Sequence, residues 1–155
     1  MIARLVRVWL VTALVDFLFA TALSTLAYGS TFTRLWQGVA TTALGANAFS
    51  GTALTVAGVV VHITVALAWS TVFVVAYDNL PALRRMTASP AGVLAVAAVY
   101  GPLIWIVMSA VVIRIATGRP PAITNRWWIQ IAGHIFFVAL PIVATTRRVS
   151  SGRNG

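Results

Sequence analysis

The chain has 155 residues, of which 60% are hydrophobic and 8% are charged, and its mean hydropathy is +0.94. Soluble domains carry about 25% charged residues, so a soluble fold of this length is excluded. All 11 basic residues are arginine, against two acidic residues and no cysteine, which gives a net charge of +9 and excludes disulfides, thiolate catalysis and zinc–thiolate sites.

The first predicted element is a membrane span over residues 8–27. This stretch is 20 residues long and contains a single charged residue, Asp16, and a helix needs roughly 20 apolar residues to cross the hydrocarbon core of a bilayer. The preceding arginines and the run Ala20-Thr21-Ala22 also resemble a secretion signal. Because an acid in the apolar centre is foreign to such signals, we expect a helix that is retained.

A short uncharged segment, Leu35 to Gly51, follows the first span. It has 17 residues and is interrupted by three glycines and an asparagine, which makes a fifth full span a poor interpretation. A fifth span would also place more arginines outside than inside, against the usual bias. We therefore expect a short helix over residues 35–48 that lies in the outer interface or enters the bundle as a re-entrant segment.

Three further uncharged stretches predict spans over residues 52–77, 91–113 and 127–146. Pro102 and Pro141 fall inside the last two, where a missing N–H predicts a kink. Residues 149–155 are predicted to be a frayed tail. The sequence therefore predicts an all-α protein with one membrane domain over residues 1–155, a four-helix transmembrane bundle with short connections.

The arginines predict the orientation of this bundle. With four spans and a cytoplasmic N-terminus, seven arginines lie inside and four lie outside, which follows the positive-inside rule. We expect a multi-pass protein of the bacterial inner (plasma) membrane with both termini in the cytoplasm. The expected partners are the lipid bilayer and either a second copy of the chain or another membrane protein. No arginine-rich face lies apart from the spans, so we expect no nucleic-acid partner.

Three ionisable residues fall inside the predicted spans, namely Asp16, His62 and His134. Such groups are costly in lipid and usually face the interior of a bundle. At about 1.5 Å of rise per residue, all three lie roughly 10–17 Å below the outer ends of their spans. We therefore predict a buried polar cluster in which the carboxylate and the two imidazoles lie at one level.

Three functions compete for this cluster. The histidines are candidate axial ligands of a b-type haem between two helices, with Gly58 and Gly133 making room for the macrocycle. Alternatively, Asp16 with a histidine forms a proton or ion site in a small membrane protein. In the third hypothesis, which the sequence favours, the cluster holds helices together in a structural or accessory subunit. A haem needs a cavity between the histidines, and ion handling needs a wet path to one surface.

No catalytic motif accompanies these residues. Ser109 and His134 are a conceivable serine–histidine pair for an intramembrane protease, but neither lies in a recognisable motif. Two histidines and two aspartates are also too few for most all-protein metal sites. We therefore expect no enzyme, no catalytic residue and no metal, and no cofactor unless the haem hypothesis holds.

From residue 34 onward, a series of short motifs follows the order and spacing found in one bacterial group. The motifs are Leu35-Trp36-Gln37-Gly38-Val39-Ala40 with Leu44-Gly45, Gly58-Val59-Val60-Val61-His62 with Ala66, Tyr100-Gly101 with Met108, and His134 with Leu140-Pro141-Ile142 and Arg147-Arg148. On these residues the chain resembles uncharacterised four-span inner-membrane proteins of the YagU-like kind. The resemblance implies four helices with a short segment before the second, and it assigns no catalytic residue. Ser109 and Ala139 depart from the asparagine and glycine common in that group.

Overall fold

The structure, a computed structural model, describes residues 1–45 and 47–151. Its described residues form helices and no strand. In chain order the α-helices are α1 (Ile2–Ala22), α2 (Phe32–Leu44), α3 (Gly51–Asn79), α4 (Pro81–Met86), α5 (Pro90–Val107), α6 (Ile113–Thr117), α7 (Asn125–Gly133) and α8 (Leu140–Ser151). The predicted tail over residues 149–155 begins inside α8, and its last four residues lie outside the described part.

Three π-helical turns join these helices into continuous rods. Leu23–Ala27 extends α1, Met108–Val112 joins α5 to α6, and His134–Ala139 joins α7 to α8. The resulting helices Ile2–Ala27, Gly51–Asn79, Pro90–Thr117 and Asn125–Ser150 are each long and apolar enough to cross a membrane, and we call them the first to fourth spans. The predicted all-α, four-helix bundle is confirmed.

Each span is longer than the uncharged stretch that predicted it, because helices continue through charged residues at a membrane surface. The first span begins at Ile2 rather than Val8 and includes Arg4 and Arg7. Arginine has a high helix propensity; the exposed side chain of Arg7 carries its charge to water, and the buried Arg4 is paired with Asp78.

Local sequence sets several helix ends. The Thr31 hydroxyl accepts a hydrogen bond from the Arg34 N–H at 3.1 Å and caps α2. Ser89 caps α5 in the same way, with Pro90 in the first helical position, where its missing N–H costs nothing. Gly118, at φ +69°, ends the third span in the left-handed conformation that glycine adopts without strain.

We call the end of the bundle that holds Met1, the Leu80–Ser89 connection and the last turn of α8 the terminal end, and the opposite end the loop end. The buried apolar core lies in the half near the terminal end, and its largest fully buried members are Ile104, Ile142, Val8 and Val74. The third and fourth spans meet there backbone to backbone at Gly101, where a Cβ would lie 2.6 Å from the Ile135 nitrogen. Close approach through small residues is the usual way in which membrane helices gain packing energy.

Polar contacts close the terminal end. Arg4, only 8% exposed, forms an ion pair with Asp78 on the second span and donates to the Ser150 hydroxyl at 3.0 Å on the fourth. Arg84 donates to the Asp78 carbonyl at 2.7 Å, and Arg147 donates to the Ala88 carbonyl at 2.6 Å. These contacts tie the first, second and fourth spans to the connection between the second and third.

The short helix α2 lies among the spans in the loop-end half of the bundle. Its Trp36 is fully buried, and its indole stacks on Phe17 with ring centroids 4.8 Å apart. Phe17 lies ten residues before the end of the first span at Ala27, which is about 15 Å along a helix. A helix packed at that depth favours the re-entrant arrangement over one that lies flat on the surface.

Candidate functional site

A cavity of about 510 Å³ lies between all four spans and α2. Its wall is mostly apolar and aromatic, with Trp69, Trp105 and Met108 among its larger side chains. Five polar side chains line it as well: Asp16, Thr42, His62, Gln130 and His134. All three ionisable residues predicted from the sequence therefore lie on one cavity, which the first, second and fourth spans bring together.

Asp16 and His62 form the closest polar pair in this wall. The Asp16 Oδ2 lies 3.4 Å from the His62 Nε2, and each side chain is 15% exposed. The distance suits an ion pair, but the alignment is too poor for a hydrogen bond. His62 Nε2 is therefore buried without a hydrogen-bond partner among the described residues. Trp36 packs edge-on against the His62 ring, with centroids 5.0 Å apart. A polar ligand atom or a proton shared with Asp16 would satisfy this nitrogen.

His134 is oriented by its own helix. Its Nδ1 lies 2.7 Å from the Gln130 carbonyl oxygen one turn earlier. Because a carbonyl only accepts, Nδ1 carries the hydrogen of this bond, which leaves Nε2 to accept when the ring is neutral. The Trp105 ring packs against His134 with centroids 4.9 Å apart. His134 therefore offers a fixed acceptor to the cavity that the Asp16–His62 pair also lines.

Two of the π-helical turns shape the wall. His134 opens the turn His134–Ala139, in which the Leu140 N–H bonds to the Ile135 carbonyl. Pro141 follows directly and has no N–H for the Phe137 carbonyl, so the predicted disturbance at this proline takes the form of a wider turn. Met108–Val112 on the third span lines the cavity in the same way. Such turns occur frequently at functional sites.

The glycines expected to make room for a macrocycle do not do so. A Cβ on Gly58 would lie 1.8 Å from the Trp36 carbonyl oxygen, and one on Gly133 would lie 2.3 Å from the Phe19 ring. Both positions are already filled by a neighbouring helix, and they serve close helix packing. Gly38 on α2 is different, because it lines the cavity and a Cβ there would meet nothing within 4 Å.

A second cavity, of about 710 Å³, adjoins the first at the loop end. Its wall includes Arg119 and Arg126, both prolines of the loop after the third span, and several threonines. The two cavities share the wall residues Thr42, Trp105, Ile113, Ala116 and Gln130. The two cavities therefore meet at these residues, and together they extend from the level of the polar groups to the loop end.

The cofactor considered from the sequence, haem b, does not fit this geometry. His134 has the arrangement of an axial ligand, since its Nδ1 is held by a carbonyl and its Nε2 is open. The other candidate nitrogen, His62 Nε2, has the Asp16 carboxylate 3.4 Å away. Iron bound there would press the flat macrocycle into that carboxylate, so we propose no haem-dependent function. Within residues 1–45 and 47–151, no group of three or more potential metal ligands occurs.

The conceivable protease pair is also not formed. The Ser109 hydroxyl accepts a hydrogen bond from the Trp127 indole N–H at 3.2 Å, whereas His134 bonds to Gln130. A nucleophile needs its base within hydrogen-bond reach, and these two side chains are engaged elsewhere.

Sequence reasoning missed the contribution of α2 to the cavity. The wall takes Leu35, Gly38, Val39, Thr42 and Ala43 from this helix. These residues follow the spacing of one helical face, which is the signal that would have identified them. Trp105 was missed as well, since one tryptophan in an apolar span carries no such signal.

Comparison with protein-family models, curated proteins and solved structures gave no match.

Proposed function

We propose that this integral membrane protein binds a small, largely apolar molecule inside its bundle. The observation that carries the proposal is the cavity of about 510 Å³ that holds Asp16, His62 and His134 in an otherwise apolar and aromatic wall. Binding sites for small molecules are typically about 300–1,000 Å³ and mostly apolar, with a few polar groups that fix orientation, and the space between bundle helices is a common location.

The hypothesis of a purely structural or accessory subunit is less well supported. A polar cluster that only holds helices together needs direct contacts and no open volume. Here, within the described residues, His62 Nε2 has no hydrogen-bond partner, and an open cavity lies beside the polar residues. A second copy or another membrane protein remains part of the proposal as a partner for the outer surface. We also propose that the chain is related to the YagU-like four-span proteins, on the support of the motifs that resemble theirs.

We place the loop end outside the bacterial inner membrane and both termini in the cytoplasm. The support is the arginine distribution, with seven inside and four outside in this orientation. The second cavity then opens toward the outer leaflet. A ligand from that leaflet or from the outer solution would reach Asp16 without crossing the membrane.

Proton or ion handling is a second candidate function. It is favoured by the position of the Asp16–His62 pair behind two adjoining cavities. A proton exchanged at this pair would need only Gln130 and Thr42, which line both cavities, or water to reach the loop end. In liposomes, Asp16→Asn is expected to abolish pH-driven flux, and flux unchanged in that variant would remove this candidate.

Ligand binding is tested with a variant that fills the cavity. Gly38→Leu adds a side chain where space is open, and it replaces a helix-interior glycine, so the fold is expected to be as stable as the wild type or more so. Native mass spectrometry of protein released from its own membrane should show a bound mass in the wild type that is missing in Gly38→Leu. Val99, which is 71% exposed and is not among the residues that line either cavity, gives the control Val99→Leu. Identical spectra for the wild type and Gly38→Leu would contradict the proposal.

A further inference from the structure

The cavity is open along one side, in a seam between α2 and the last turns of the third span. Gly38 and Ala43 on α2 line the cavity and are exposed, and so are Val112 and Ala116 on the third span. A residue that is exposed and also lines a cavity marks its opening. Large exposed apolar side chains flank the seam, among them Leu44 and Ile115. The opening therefore faces lipid chains rather than water.

The second cavity, next to this seam, is basic. Arg119 and Arg126 line it, and none of its described lining residues is acidic. Arg126 is held over the Tyr28 ring, with its guanidinium carbon 4.2 Å from the ring centroid. The Tyr28 hydroxyl is buried and has no hydrogen-bond partner in the described structure. Two guanidinium groups and an unpaired hydroxyl donor suit a carboxylate or a phosphate.

Together these features define the ligand class, on the basis of the proposed binding function. We propose that the site takes a single-chain amphiphile with an anionic head, which enters from the lipid through the seam. The carboxylate or phosphate head lies against Arg119 and Arg126. The apolar chain fills the inner cavity past Asp16 and His62, which share a proton and so present a satisfied polar pair to it. Asp16 lies 12 residues before Tyr28, so the level of Asp16 is about 18 Å from the head site.

The inner end of the site limits the chain. The inner cavity extends past His62 to Trp69, and Ile104 and Val138 also contribute its apolar wall there. Beyond them lies the packed core near the terminal end. The inner cavity, of about 510 Å³, has the size of a site for one small molecule, and α2 packed on Gly58 bounds it on the side of the second span. A single chain therefore matches the shape of the space.

Bromine quenching of tryptophan fluorescence tests this proposal, since Trp69 and Trp105 line the inner cavity. The protein is reconstituted in nanodiscs of zwitterionic lipid and titrated with a mid-chain brominated fatty acid, with the matching alkyl phosphate, and with the uncharged methyl ester. The Gly38→Leu protein supplies the background from quencher dissolved in the bilayer. Stronger binding of the acid than of the phosphate, or the reverse, identifies which head the site prefers.

Arg119→Gln together with Arg126→Gln is expected to weaken binding of the charged probes about tenfold or more, because each charged hydrogen bond contributes substantially. Binding of the ester should not change. Arg119→Glu tests the same head site without touching the Arg126–Tyr28 contact, and Arg85→Gln at the terminal end is the matched control.

Equal affinity of the wild type for the acid and the ester, or charged-probe affinity unchanged in the arginine variants, would overturn the anionic head. Quenching that does not depend on residue 38 for any probe would instead overturn the binding function itself.

Discussion

Gly58 on the second span and Trp36 on α2 touch backbone to backbone, and this contact holds α2 among the spans. A Cβ at Gly58 would lie 1.8 Å from the Trp36 carbonyl oxygen. The atom in the way belongs to the backbone, so no side-chain rotation relieves the overlap. The depth of α2, and with it one wall of the cavity, depends on the absence of a side chain at residue 58.

Gly58→Ala is therefore expected to destabilise the protein by about 1–3 kcal/mol, the usual cost of forcing extra atoms into a packed interface. Thermal unfolding in detergent measures the change. Gly38→Ala is the matched control on the other side of the contact, where the added methyl meets open space and should stabilise α2 by up to about 1 kcal/mol. Equal stability of the two variants would contradict the assigned role of Gly58.

The strength of the Asp16–His62 contact separates a binding role from a structural one. Polar contacts between membrane helices contribute about 0.6 kcal/mol on average, and this contact lacks hydrogen-bond alignment. A double-mutant cycle with Asp16→Ala and His62→Ala should give a coupling free energy of about 0.6 kcal/mol or less. A coupling above about 2 kcal/mol would indicate that the pair holds the bundle together.

The Arg4–Asp78 ion pair is expected to contribute modestly to stability. Arg4 is 8% exposed, but the Asp78 side chain is 36% exposed, so solvent screens the pair. Asp78→Asn should cost about 1 kcal/mol of unfolding free energy, measured by denaturation in mixed micelles. Arg85→Gln, at an exposed arginine of the same connection, should have no effect. A loss of the fold in Asp78→Asn would show that Arg4 cannot remain buried without its partner.

The proposed orientation can be tested in a chain that has no cysteine. Phe49→Cys marks the loop end and Met86→Cys the terminal end, and both positions are exposed. In intact spheroplasts, an impermeant maleimide should label only Phe49→Cys, and both variants should react once the membrane is opened. Labelling of Met86→Cys alone in intact cells would reverse the orientation.

The four spans were predictable because a helix that crosses a bilayer needs a long stretch of residues without charge. Long stretches without charge are rare in soluble chains, and arginines mark where each stretch ends. The level of Asp16, His62 and His134 followed from simple counting along helices. Their rotation did not, since it depends on how neighbouring helices pack, and so the pairing of Asp16 with His62 and the separate hydrogen bond of His134 needed the structure.

The glycines show why the cavity itself could not be predicted from the sequence. Gly58, Gly133 and Gly38 all lie in apolar helices, and nothing in the sequence distinguishes a glycine against a backbone from one beside open space. The structure puts a helix against the first two and a cavity beside the third. The depth of α2 has the same origin, because the aromatic stack of Phe17 on Trp36 pairs residues from separate elements.

The wide turn His134–Ala139 contains one more residue than a regular α-helical segment of the same length along the axis. Loss of one residue anywhere in it would restore regular helix and swing the preceding half of the rod by about 100°, the angle that one residue subtends. The His134 imidazole would then point away from the cavity, although the histidine itself was still present. We therefore expect any relative that uses this histidine in the same role to keep the length of the segment as strictly as the histidine itself.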